Sequence, residues 1–391
     1  MTNEQKNVPE LRFPEFKGEW VRKKLKNIAS FGKGKSLSKK DISKEGHPCI
    51  LYGELYTKYG PITTKVYSKT NNIDKKLVYS DKNQVLIPSS GETDIDIATA
   101  TCINVSEKII IGGDLNIITP KIADGRFISL YINGKGKYNL AKYAQGKSVV
   151  HLYNSDIKKL EFFLPKEISE QEKIGNFFSK LDRQIELEEH KLELLKQQKK
   201  GYMQKIFSQE IKFKDENGND YPEWIEKTIE EVTKYISSKK SSNQYIENNT
   251  LGSYPVYDAI QEIAKDSQYD MEEPYISILK DGAGVGRLNL RAGKSSVIGT
   301  MGYLLPKYID IQFLYYRMKL LEFKKYIIGS TIPHLYYKDY SKEKLKIPSS
   351  SDEQKKIGTS LKKLDDYIEK QSSKVEFLKQ RKQGLLQKMF I

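Results

Sequence analysis

The sequence predicts an α+β protein in which two mixed α/β domains are separated by two long helices that pair as an antiparallel coiled coil. Three observations lead to this fold class. A stretch of 62 residues occurs twice, each copy contains a helical pattern with heptad spacing, and the segment before each helix is rich in strand-forming residues. The duplication also predicts a pseudo-two-fold internal repeat.

The internal repeat defines the organisation of the chain. Residues 146–207 and 329–390 align without a gap at a constant offset of 183, and 27 of the 62 aligned positions are identical. The similarity extends upstream more weakly, because Trp20 and Trp224, the only two tryptophans, open comparable segments at an offset of 204. The second globular part is therefore about 21 residues shorter than the first. The four predicted parts are residues 1–167, 168–209, 210–350 and 351–391.

Composition limits the class of protein. A chain of 391 residues suits two or three domains. It contains no apolar run of about 18 residues, and its polar first residues are unlike a signal peptide, so we expect no membrane span. Cys49 and Cys102 are the only cysteines, which predicts a reducing cytoplasmic location and excludes zinc sites built from several cysteines.

The formal net charge of +15 indicates a polyanionic partner, with solubility alone as the alternative explanation. The charge is unevenly distributed. Residues 1–167 carry 28 basic and 18 acidic side chains, whereas residues 210–350 carry 20 of each. We therefore expect the two globular regions to bind a polyanion differently, with the second relying more on hydrogen bonds and on partner proteins.

Both globular regions are predicted to be mixed α/β domains with considerable sheet. Glycine-containing turns separate short apolar runs that have the length and composition of strands. Four of these predicted strands lie at residues 108–112, 115–119, 275–279 and 297–299.

Loops rich in lysine, serine and glycine are the candidate segments for contact with a nucleic acid, because such residues reach phosphates through side chains and backbone N–H groups. Solvated surface loops without a ligand are the alternative. In the first region the candidates are Lys33, Lys35, Ser36, Lys39, Lys40, Ser89, Ser90, Gly91, Glu92, Gln145, Lys147, Ser148 and His151. In the second region they are Lys239, Lys240, Lys280, Arg287, Ser330, Thr331 and His334.

Residues 170–207 and 353–390 predict the two long helices, since neither stretch contains proline and apolar residues recur at spacings of three and four. Ser169 and Asp352 are the predicted N-caps. A helix of about 38 residues is about 57 Å long. The predicted seam consists of Ile174, Phe178, Leu181, Ile185, Leu192, Leu195, Ile357, Leu361, Leu364, Ile368, Val375 and Leu378, and continues through Tyr202, Ile206, Leu385 and Met389.

Polar residues interrupt this seam at equivalent places in both copies, namely Glu188 and Lys199 in the first and Gln371 and Lys382 in the second. Two interpretations are open. The seam is locally exposed there, or these residues form a polar layer that fixes register or meets a partner helix. One such helix cannot bury its apolar stripe alone, so we expect the two helices to pair, and antiparallel pairing would make the molecule pseudo-symmetric.

Sequence motifs of several enzyme classes are missing. Gly34-Lys35-Ser36 ends like a phosphate-binding loop, but the earlier glycine that this motif requires is Ala29 here. The sequence also lacks a glycine motif for S-adenosylmethionine, the Pro-Pro-aromatic motif of adenine methyltransferases, and a recognisable nucleophile and base. The sequence therefore favours a non-catalytic chain.

The remaining candidates for chemistry have simpler explanations. Asp94 and Asp96 could suggest a metal, but two acids near a turn are usually surface residues, and we expect no metal site. His151 and His334 are repeat equivalents, for which a structural hydrogen bond is favoured over contact with DNA.

The repeated motifs occur in a characteristic order. Each copy has Gly-x-[Ser/Thr]-x-x-His-Leu, then a strand ending at Pro165 or Pro348, then Glu-Gln-x-Lys-Ile-Gly and Leu-Asp. This arrangement, including its duplication, resembles the specificity subunit of type I restriction-modification systems over nearly the whole chain.

This resemblance implies a fold and a function. Each globular region would be a target-recognition domain that reads one half of a bipartite, asymmetric DNA site, and the helices would form a spacer that also docks two methyltransferase subunits. Restriction and translocation subunits would join that complex. The chain itself would hold no cofactor, because S-adenosylmethionine, ATP and Mg²⁺ would be bound by the partners, which methylate adenine N6.

Three other functions stay open at the level of sequence. The chain could serve a modification-only enzyme. It could be a coiled-coil scaffold whose basic charge is incidental. It could also be a self-contained nuclease or methyltransferase with dispersed catalytic residues.

Overall fold

Two units organise the chain in the computed structural model, which describes residues 7–35, 37–241, 243–246 and 252–391. The first unit comprises residues up to 189 together with residues 373–391, and the second comprises residues 190–372. The boundaries fall inside both long helices, so each unit contains part of each helix. Within the described residues, no helix is long and apolar enough to cross a membrane.

The first unit contains short strands joined by turns and short helices. Its strands are β1 (Val21–Lys24), β2 (Ala29–Lys33), β3 (Ile42–Ser43), β4 (His47–Ile50), β5 (Ile62–Thr63), β6 (Ser68–Thr70), β7 (Val78–Tyr79), β8 (Val85–Pro88), β9 (Ser90–Gly91), β10 (Thr101–Ile103), β11 (Ile110–Ile111), β12 (Leu115–Pro120), β13 (Val150–His151) and β14 (Glu161–Leu164). Its short helices are α1 (Tyr52–Thr57), α2 (Asp94–Ile97), α3 (Gly125–Asn133), α4 (Lys137–Ala141) and α5 (Asn154–Ile157), with 3-10 turns at Leu25–Asn27 and Lys39–Asp41.

Two sheets hold most of these strands. In the described part of this unit, one sheet has the order β2-β12-β8-β10-β5 and the other has the order β3-β6-β4-β11-β7. β1 pairs with β14, and β9 pairs with β13. The first sheet packs against α3, whose Phe127 and Ile128 are fully buried, because this face supplies the apolar core around Trp20.

The second unit repeats this plan with fewer strands. The first long helix, α6 (Ile168–Phe207), leads into β15 (Ile225–Thr228), β16 (Thr233–Ser237), β17 (Tyr254–Tyr257), β18 (Glu262–Asp266), β19 (Tyr275–Leu279), β20 (Leu288–Arg291), β21 (Ser296–Val297), β22 (Met301–Pro306) and β23 (Lys344–Ile347). The helices that follow α6 are α7 (Ile229–Val232), α8 (Asn243–Ile246), α9 (Ile311–Met318), α10 (Tyr337–Tyr340) and the second long helix α11 (Ser351–Lys388), with a 3-10 turn at Phe323–Tyr326. Three of the four predicted strands are confirmed as β11, β12 and β19. The strand predicted at residues 297–299 is placed too late, because β21 ends at Val297 and Gly299 lies in a turn.

The strand registers confirm both repeat offsets. Val21 pairs with Leu164 in the first unit, and Ile225 pairs with Ile347 in the second, so the paired residues differ by 204 and 183 between the copies. The sheet β16-β22-β19-β20 corresponds to β2-β12-β8-β10. The difference in length lies mainly in the other sheet, which has the order β18-β17-β21 within the described residues of the second unit.

The two long helices run antiparallel, as predicted. In the first unit Lys374 pairs with Glu188, whereas Lys382 pairs with Asp182, so the partner number falls as the number on α11 rises. Of the predicted seam, Leu181, Ile185 and Leu378 join the core of this unit, while Val375 is also buried. In the second unit Ile357 and Leu361 join the core and Leu192 is buried, whereas Leu195, Leu364 and Ile368 are only partly buried.

Two details of the predicted helices are wrong by one or two residues. The buried positions near the helix ends are Met203 and Leu386 rather than Tyr202 and Leu385, because a helix of 3.6 residues per turn drifts away from an ideal heptad seam. The predicted N-caps Ser169 and Asp352 lie inside the first turn, because the helices begin at Ile168 and Ser351, two residues before the starts that these caps imply.

The repeated Glu-Gln motif joins each long helix to its domain. Gln171 accepts a hydrogen bond from the Asp124 N–H at 3.0 Å, and Gln354 accepts one from the Asp310 N–H at 2.8 Å. Each glutamine also donates to the proline carbonyl six residues before it, at 3.1 Å and 2.8 Å. Asp124 and Asp310 are the N-caps of α3 and α9, so this motif is structural and ties the helix starts together.

Candidate nucleic-acid interface

Two candidate segments of the first unit meet in a small ladder. Val150 pairs with Gly91 and His151 pairs with Ser90 through β13 and β9. The loop at residues 145–151 is closed by two backbone hydrogen bonds. The Gln145 N–H donates to the His151 carbonyl at 2.9 Å, and the His151 N–H donates to the Gln145 carbonyl at 2.7 Å. Lys147 and Ser148 lie at the exposed tip of this loop.

The second unit builds the same arrangement from its own candidates. Ile328 and His334 close the equivalent loop with backbone hydrogen bonds of 3.0 Å and 2.8 Å. His334 also bridges to Asp281, and the Leu335 N–H donates to the Lys280 carbonyl at 2.8 Å. Ser330 and Thr331 are exposed at the loop tip, as Lys147 and Ser148 are in the first unit. Two segments that are far apart in sequence are therefore brought together in both copies.

Each loop turns at a glycine with positive φ. The angle is +125° at Gly146 and +88° at Gly329. A Cβ atom there would lie 2.1 Å from the Val149 carbonyl oxygen, or 2.4 Å from the Ile332 carbonyl oxygen. The repeated glycine is thus required by the shape of the loop, while the tip residues between glycine and histidine are free to differ.

The two histidines hold their loops in place. His151 Nδ1 lies 3.1 Å from the Ser90 hydroxyl, and His334 Nδ1 lies 2.7 Å from a carboxylate oxygen of Asp281. The histidine rings stack on Tyr153 and Tyr336, both with centroids 6.2 Å apart. This geometry supports the structural hydrogen bond that the sequence favoured for both histidines.

The charge of Asp281 is held by its neighbours. Burial favours the neutral acid, but hydrogen bonds from Lys280 and His334 outweigh this effect and lower the pKa of Asp281. The Lys280 ammonium group lies 2.6 Å from the same carboxylate, so this candidate is already partnered. Arg287 is exposed.

The basic loop of the first unit lies close to the ladder. The Asn154 side chain donates to the Gly32 carbonyl at 2.8 Å, just before the loop, and the Ser89 N–H donates to the Asp114 carbonyl at 2.8 Å. Gly34 is a point of close backbone contact, because a Cβ there would lie 1.9 Å from the Gly112 carbonyl oxygen. The exposed lysines of this loop are Lys33, Lys35, Lys39 and Lys40, and Ser36 lies outside the described residues.

Several other candidates have structural roles in the described chain. Ser89 and Gly91 are buried, whereas Glu92 is exposed. Lys240 forms an ion pair with Asp266 at 2.7 Å, so the phosphate contact predicted for it would require this pair to open, while its neighbour Lys239 is exposed.

The described residues offer no group of three or more His, Cys, Asp or Glu side chains that could hold a metal ion. Asp94 and Asp96 lie in the first turn of α2, where Thr93 donates a hydrogen bond to Asp96 at 2.7 Å. Asp94 is exposed, as expected for an acid near a turn, whereas Asp96 is partly buried beside the N-cap Thr93.

Exposed apolar residues at the loop tips were missed at the level of sequence. Val149 and Ile332 are repeat equivalents and are 53% and 56% exposed. Tyr153 and Tyr336, which stack on the histidines, are also about half exposed. The constant offset of 183 could have identified both pairs, because an apolar residue retained at an exposed tip in both copies has no role in a core.

Known proteins share both the sequence pattern and the fold. A family model described as the type I restriction modification DNA specificity domain matches residues 17–197 and again residues 221–376. The type I restriction enzyme MjaVIII specificity subunit of Methanocaldococcus jannaschii is 28% identical over 201 residues, which cover 47% of this chain and 46% of that protein. The match thus spans about half the length of this curated relative.

Solved structures extend the similarity to the whole chain. The type I restriction-modification S subunit from M. genitalium superimposes with a TM-score of 0.69 at 20% identity and covers 98% of this chain and 99% of that one. A structure described as the basis of complex assembly and conformational transition of the type I R-M system gives a TM-score of 0.51 at 14% identity, with 94% and 96% coverage. At these identities the likeness establishes the fold.

Proposed function

Because this chain belongs to the type I restriction modification DNA specificity family, with a match in both halves, we propose that it reads a two-part, asymmetric DNA site and directs adenine methylation and restriction by partner subunits. Members of this family are the non-catalytic DNA-recognition components of their systems. The proposal that the DNA site has two different halves is based on the internal repeat.

One observation carries this proposal. An equivalent loop closes at residues 145–151 in the first unit and at residues 328–334 in the second. In both units the residue after the loop histidine donates a backbone hydrogen bond to the equivalent segment, at Ser89 or Lys280, yet the exposed tips differ in sequence. Lys147 and Ser148 in the first unit correspond to Ser330 and Thr331 in the second. A constant support with different polar tips is suited to reading different base edges, because base specificity depends on the donors and acceptors that are presented.

The long helices support a role as the spacer. Each is close to 40 residues long, and at a rise of 1.5 Å per residue this is about 60 Å. We propose that their length sets the number of unspecified base pairs between the half-sites, and that their outer faces dock two methyltransferase subunits.

The cofactors are assigned to the partners. We propose that S-adenosylmethionine is bound by the methyltransferase subunits and that ATP and Mg²⁺ are bound by restriction and translocation subunits. The absence of cofactor motifs from the sequence supports this division. A modification-only complex would need the same chain, so both assemblies are compatible with the proposal. We further propose a cytoplasmic location, where both buried cysteines, Cys49 and Cys102, would stay reduced.

DNA binding by the assembled complex tests the proposal against a scaffold role. We expect log affinity to fall linearly with log salt concentration, because neutralised phosphates release counterions. Changing Lys147 and Ser148 to alanine should weaken binding to DNA that carries the first half-site by about 10-fold, since one lost base contact costs about 1–3 kcal/mol. Affinity that is independent of salt and unchanged in this variant would favour the scaffold instead.

The matched control uses an exposed basic residue outside the candidate segments. Lys265 is exposed on β18, so Lys265→Ala should leave the preference between half-site sequences unchanged. Equal effects of the control and of the loop variant on sequence preference would argue against base reading by the loop.

A further inference from the structure

The two repeat-equivalent glutamates at the starts of the long helices have different partners. In the first unit Glu170 is 1% exposed and receives the Trp20 indole N–H at 3.2 Å. The Arg12 guanidinium donates to both of its carboxylate oxygens at 2.8 Å. This pair is bidentate, which is the strongest geometry available to an arginine and a carboxylate.

Among the described residues of the second unit, no guanidinium donates a hydrogen bond to the equivalent glutamate. Glu353 is 4% exposed and receives the Trp224 indole N–H at 3.1 Å on Oε1. Within the described residues, its buried Oε2 atom has no hydrogen-bond partner. A buried carboxylate oxygen without a donor is unfavourable, and burial accordingly raises the pKa of Glu353.

The chain explains why the two sites differ. The Leu11 N–H donates to the Lys388 carbonyl, and the Ile211 N–H donates to the carbonyl of Lys205, which is the repeat equivalent of Lys388. Leu11 and Ile211 are therefore equivalent, and the residue that corresponds to Arg12 is Lys212. From this point to the tryptophan the second copy is four residues longer, and Lys212 is exposed.

A cavity of about 310 Å³ occupies the corresponding place in the second unit. It is far larger than the share of one water molecule, which is about 30 Å³. Its lining includes Glu353, Trp224, Tyr221 and Pro222. Tyr221 and Pro222 correspond to Lys17 and Gly18 in the first unit. There the Arg12 guanidinium donates to the carbonyl of Lys17 at 3.3 Å and to that of Gly18 at 2.6 Å.

We propose that this cavity is a binding site for the guanidinium group of an arginine that belongs to another molecule. The first unit provides the template, in which a carboxylate, an indole and two backbone carbonyls surround a guanidinium. The second unit retains the carboxylate, the indole and the same stretch of backbone. Asp220 and Glu223 add negative charge to the lining, which Lys212 and Lys346 partly offset.

The ligand chemistry favours arginine over lysine. A guanidinium is planar and presents parallel N–H groups that match both carboxylate oxygens, whereas an ammonium is a point charge that is more strongly hydrated. An arginine side chain of a partner protein and the free amino acid share this group. The site is independent of the proposed DNA reading, since no candidate DNA-binding residue lines the cavity.

The two tryptophans allow a direct test on the full-length chain. Their indole N–H resonances in a ¹H–¹⁵N spectrum report on Glu170 and Glu353 separately. We expect N-acetyl-arginine amide to shift the Trp224 resonance in a saturable way, with a dissociation constant on the order of millimolar, as suits one charged group. The Trp20 resonance should not move, because Arg12 already fills its site. N-acetyl-lysine amide should bind about 10-fold more weakly.

Two variants control the test. Glu353→Gln retains the acceptor for Trp224 and should abolish binding. Lys212→Arg places a guanidinium on the equivalent of Arg12, so it should move the Trp224 resonance without ligand and block further titration. Equal shifts of both tryptophans, or a Trp224 shift that persists in Glu353→Gln, would overturn the proposal.

A comparison with free arginine distinguishes the sources. Equal affinity for free arginine and its capped amide indicates that only the side chain is recognised, as expected for a partner protein. Tighter binding of free arginine indicates an amino-acid ligand. No shift with either compound contradicts the site.

Discussion

At the residue scale, the repeat places identical side chains in different surroundings. A comparison of the two copies therefore shows how the surroundings alter the effect of the same substitution. Glu170 and Glu353 are buried and hold a tryptophan, but a guanidinium neutralises only Glu170. Their substitution by glutamine therefore has opposite consequences. The removal of one partner from a buried ion pair leaves the other uncompensated, whereas the removal of an unpaired buried charge relieves a cost.

We expect Glu170→Gln to lower the free energy of unfolding of the first unit by about 3 kcal/mol, since Arg12 loses its partner. Glu353→Gln should change the stability of the second unit by less than about 1 kcal/mol or increase it. Hydrogen exchange of β12 and β22, followed by mass spectrometry, measures the two units separately. Equal losses in both units would contradict this account.

The raised pKa of Glu353 also predicts a dependence on pH. Burial raises this pKa, and the Trp224 hydrogen bond only partly opposes the shift. The folded value lies above the unfolded value of about 4.3, so the second unit is stabilised below that value and loses this stabilisation as the pH rises through the folded pKa. Glu353→Gln should remove this component. An unchanged pH profile in the variant would show that another group is responsible.

Sequence reasoning at this scale succeeded where a residue had a local reason. The loop glycines Gly146 and Gly329 and the histidine hydrogen bonds follow from the repeat. The partner of Lys240 could not be predicted, because Asp266 lies 26 positions away in a region without repeat similarity. The difference between Glu170 and Glu353 was also hidden, since it depends on four inserted residues in a turn.

At the element scale, ion pairs across the helices explain the interrupted seam. Lys382 pairs with Asp182 at 2.5 Å in the first unit, and the equivalent Lys199 pairs with Asp365 in the second. Both lysines are about 14% exposed, so the charges are largely shielded. The structure therefore supports the polar layer over a frayed seam, and the Leu-Asp motif acquires a role in setting register.

Reversal of one such pair tests this role. We expect Lys382→Asp to lower the free energy of unfolding by about 2 kcal/mol, because two carboxylates would face each other at a partly buried site. The further change Asp182→Lys should recover at least half of this loss. The exposed pair Arg183 and Glu186 is the control, and Arg183→Ala should cost no more than about 0.5 kcal/mol. Additive effects in the double-mutant cycle would show that the two residues are not coupled.

The length of the helices is predicted to set the spacing of the half-sites. Residues 183–189 and 375–381 form one heptad on each helix within the first unit, beside the Asp182–Lys382 pair. Deletion of both heptads removes about 10 Å, which is close to three base pairs of 3.4 Å. Selection of binding sites from random DNA should give the same two half-sites with a shorter gap. Changed half-sites with an unchanged gap would contradict the spacer role.

At the scale of the whole molecule, the first unit combines residues up to 189 with residues 373–391, whereas the second unit is the continuous segment 190–372. Phe390, at the end of the chain, is 2% exposed and packs 5.0 Å from Phe127 in the first unit. Its equivalent Phe207 packs 5.6 Å from Phe313 in the second. The heptad pattern predicted that the helices pair, but their docking in two different cores required the structure, because it depends on long-range contacts.

The packing of Phe390 in the first core and of Phe207 in the second predicts which unit each substitution destabilises. Phe390→Ala should lower the stability of the first unit by about 3–4 kcal/mol, although it is far from that domain in sequence. Phe207→Ala should affect the second unit, with a smaller loss because its ring is only partly buried. Hydrogen exchange of the two units separates these effects. A loss confined to the second unit in Phe390→Ala would contradict the described core.

The central claim is that two differently tipped copies of one domain read two halves of one site. Mapping of methylated adenines in DNA from cells that contain this chain and its methyltransferase partners tests it most directly. We predict a single asymmetric motif, in which two different half-sites are separated by a fixed gap of unspecified bases. A continuous motif, a palindrome, or methylation that does not change when the loop at residues 145–151 is altered would contradict the account.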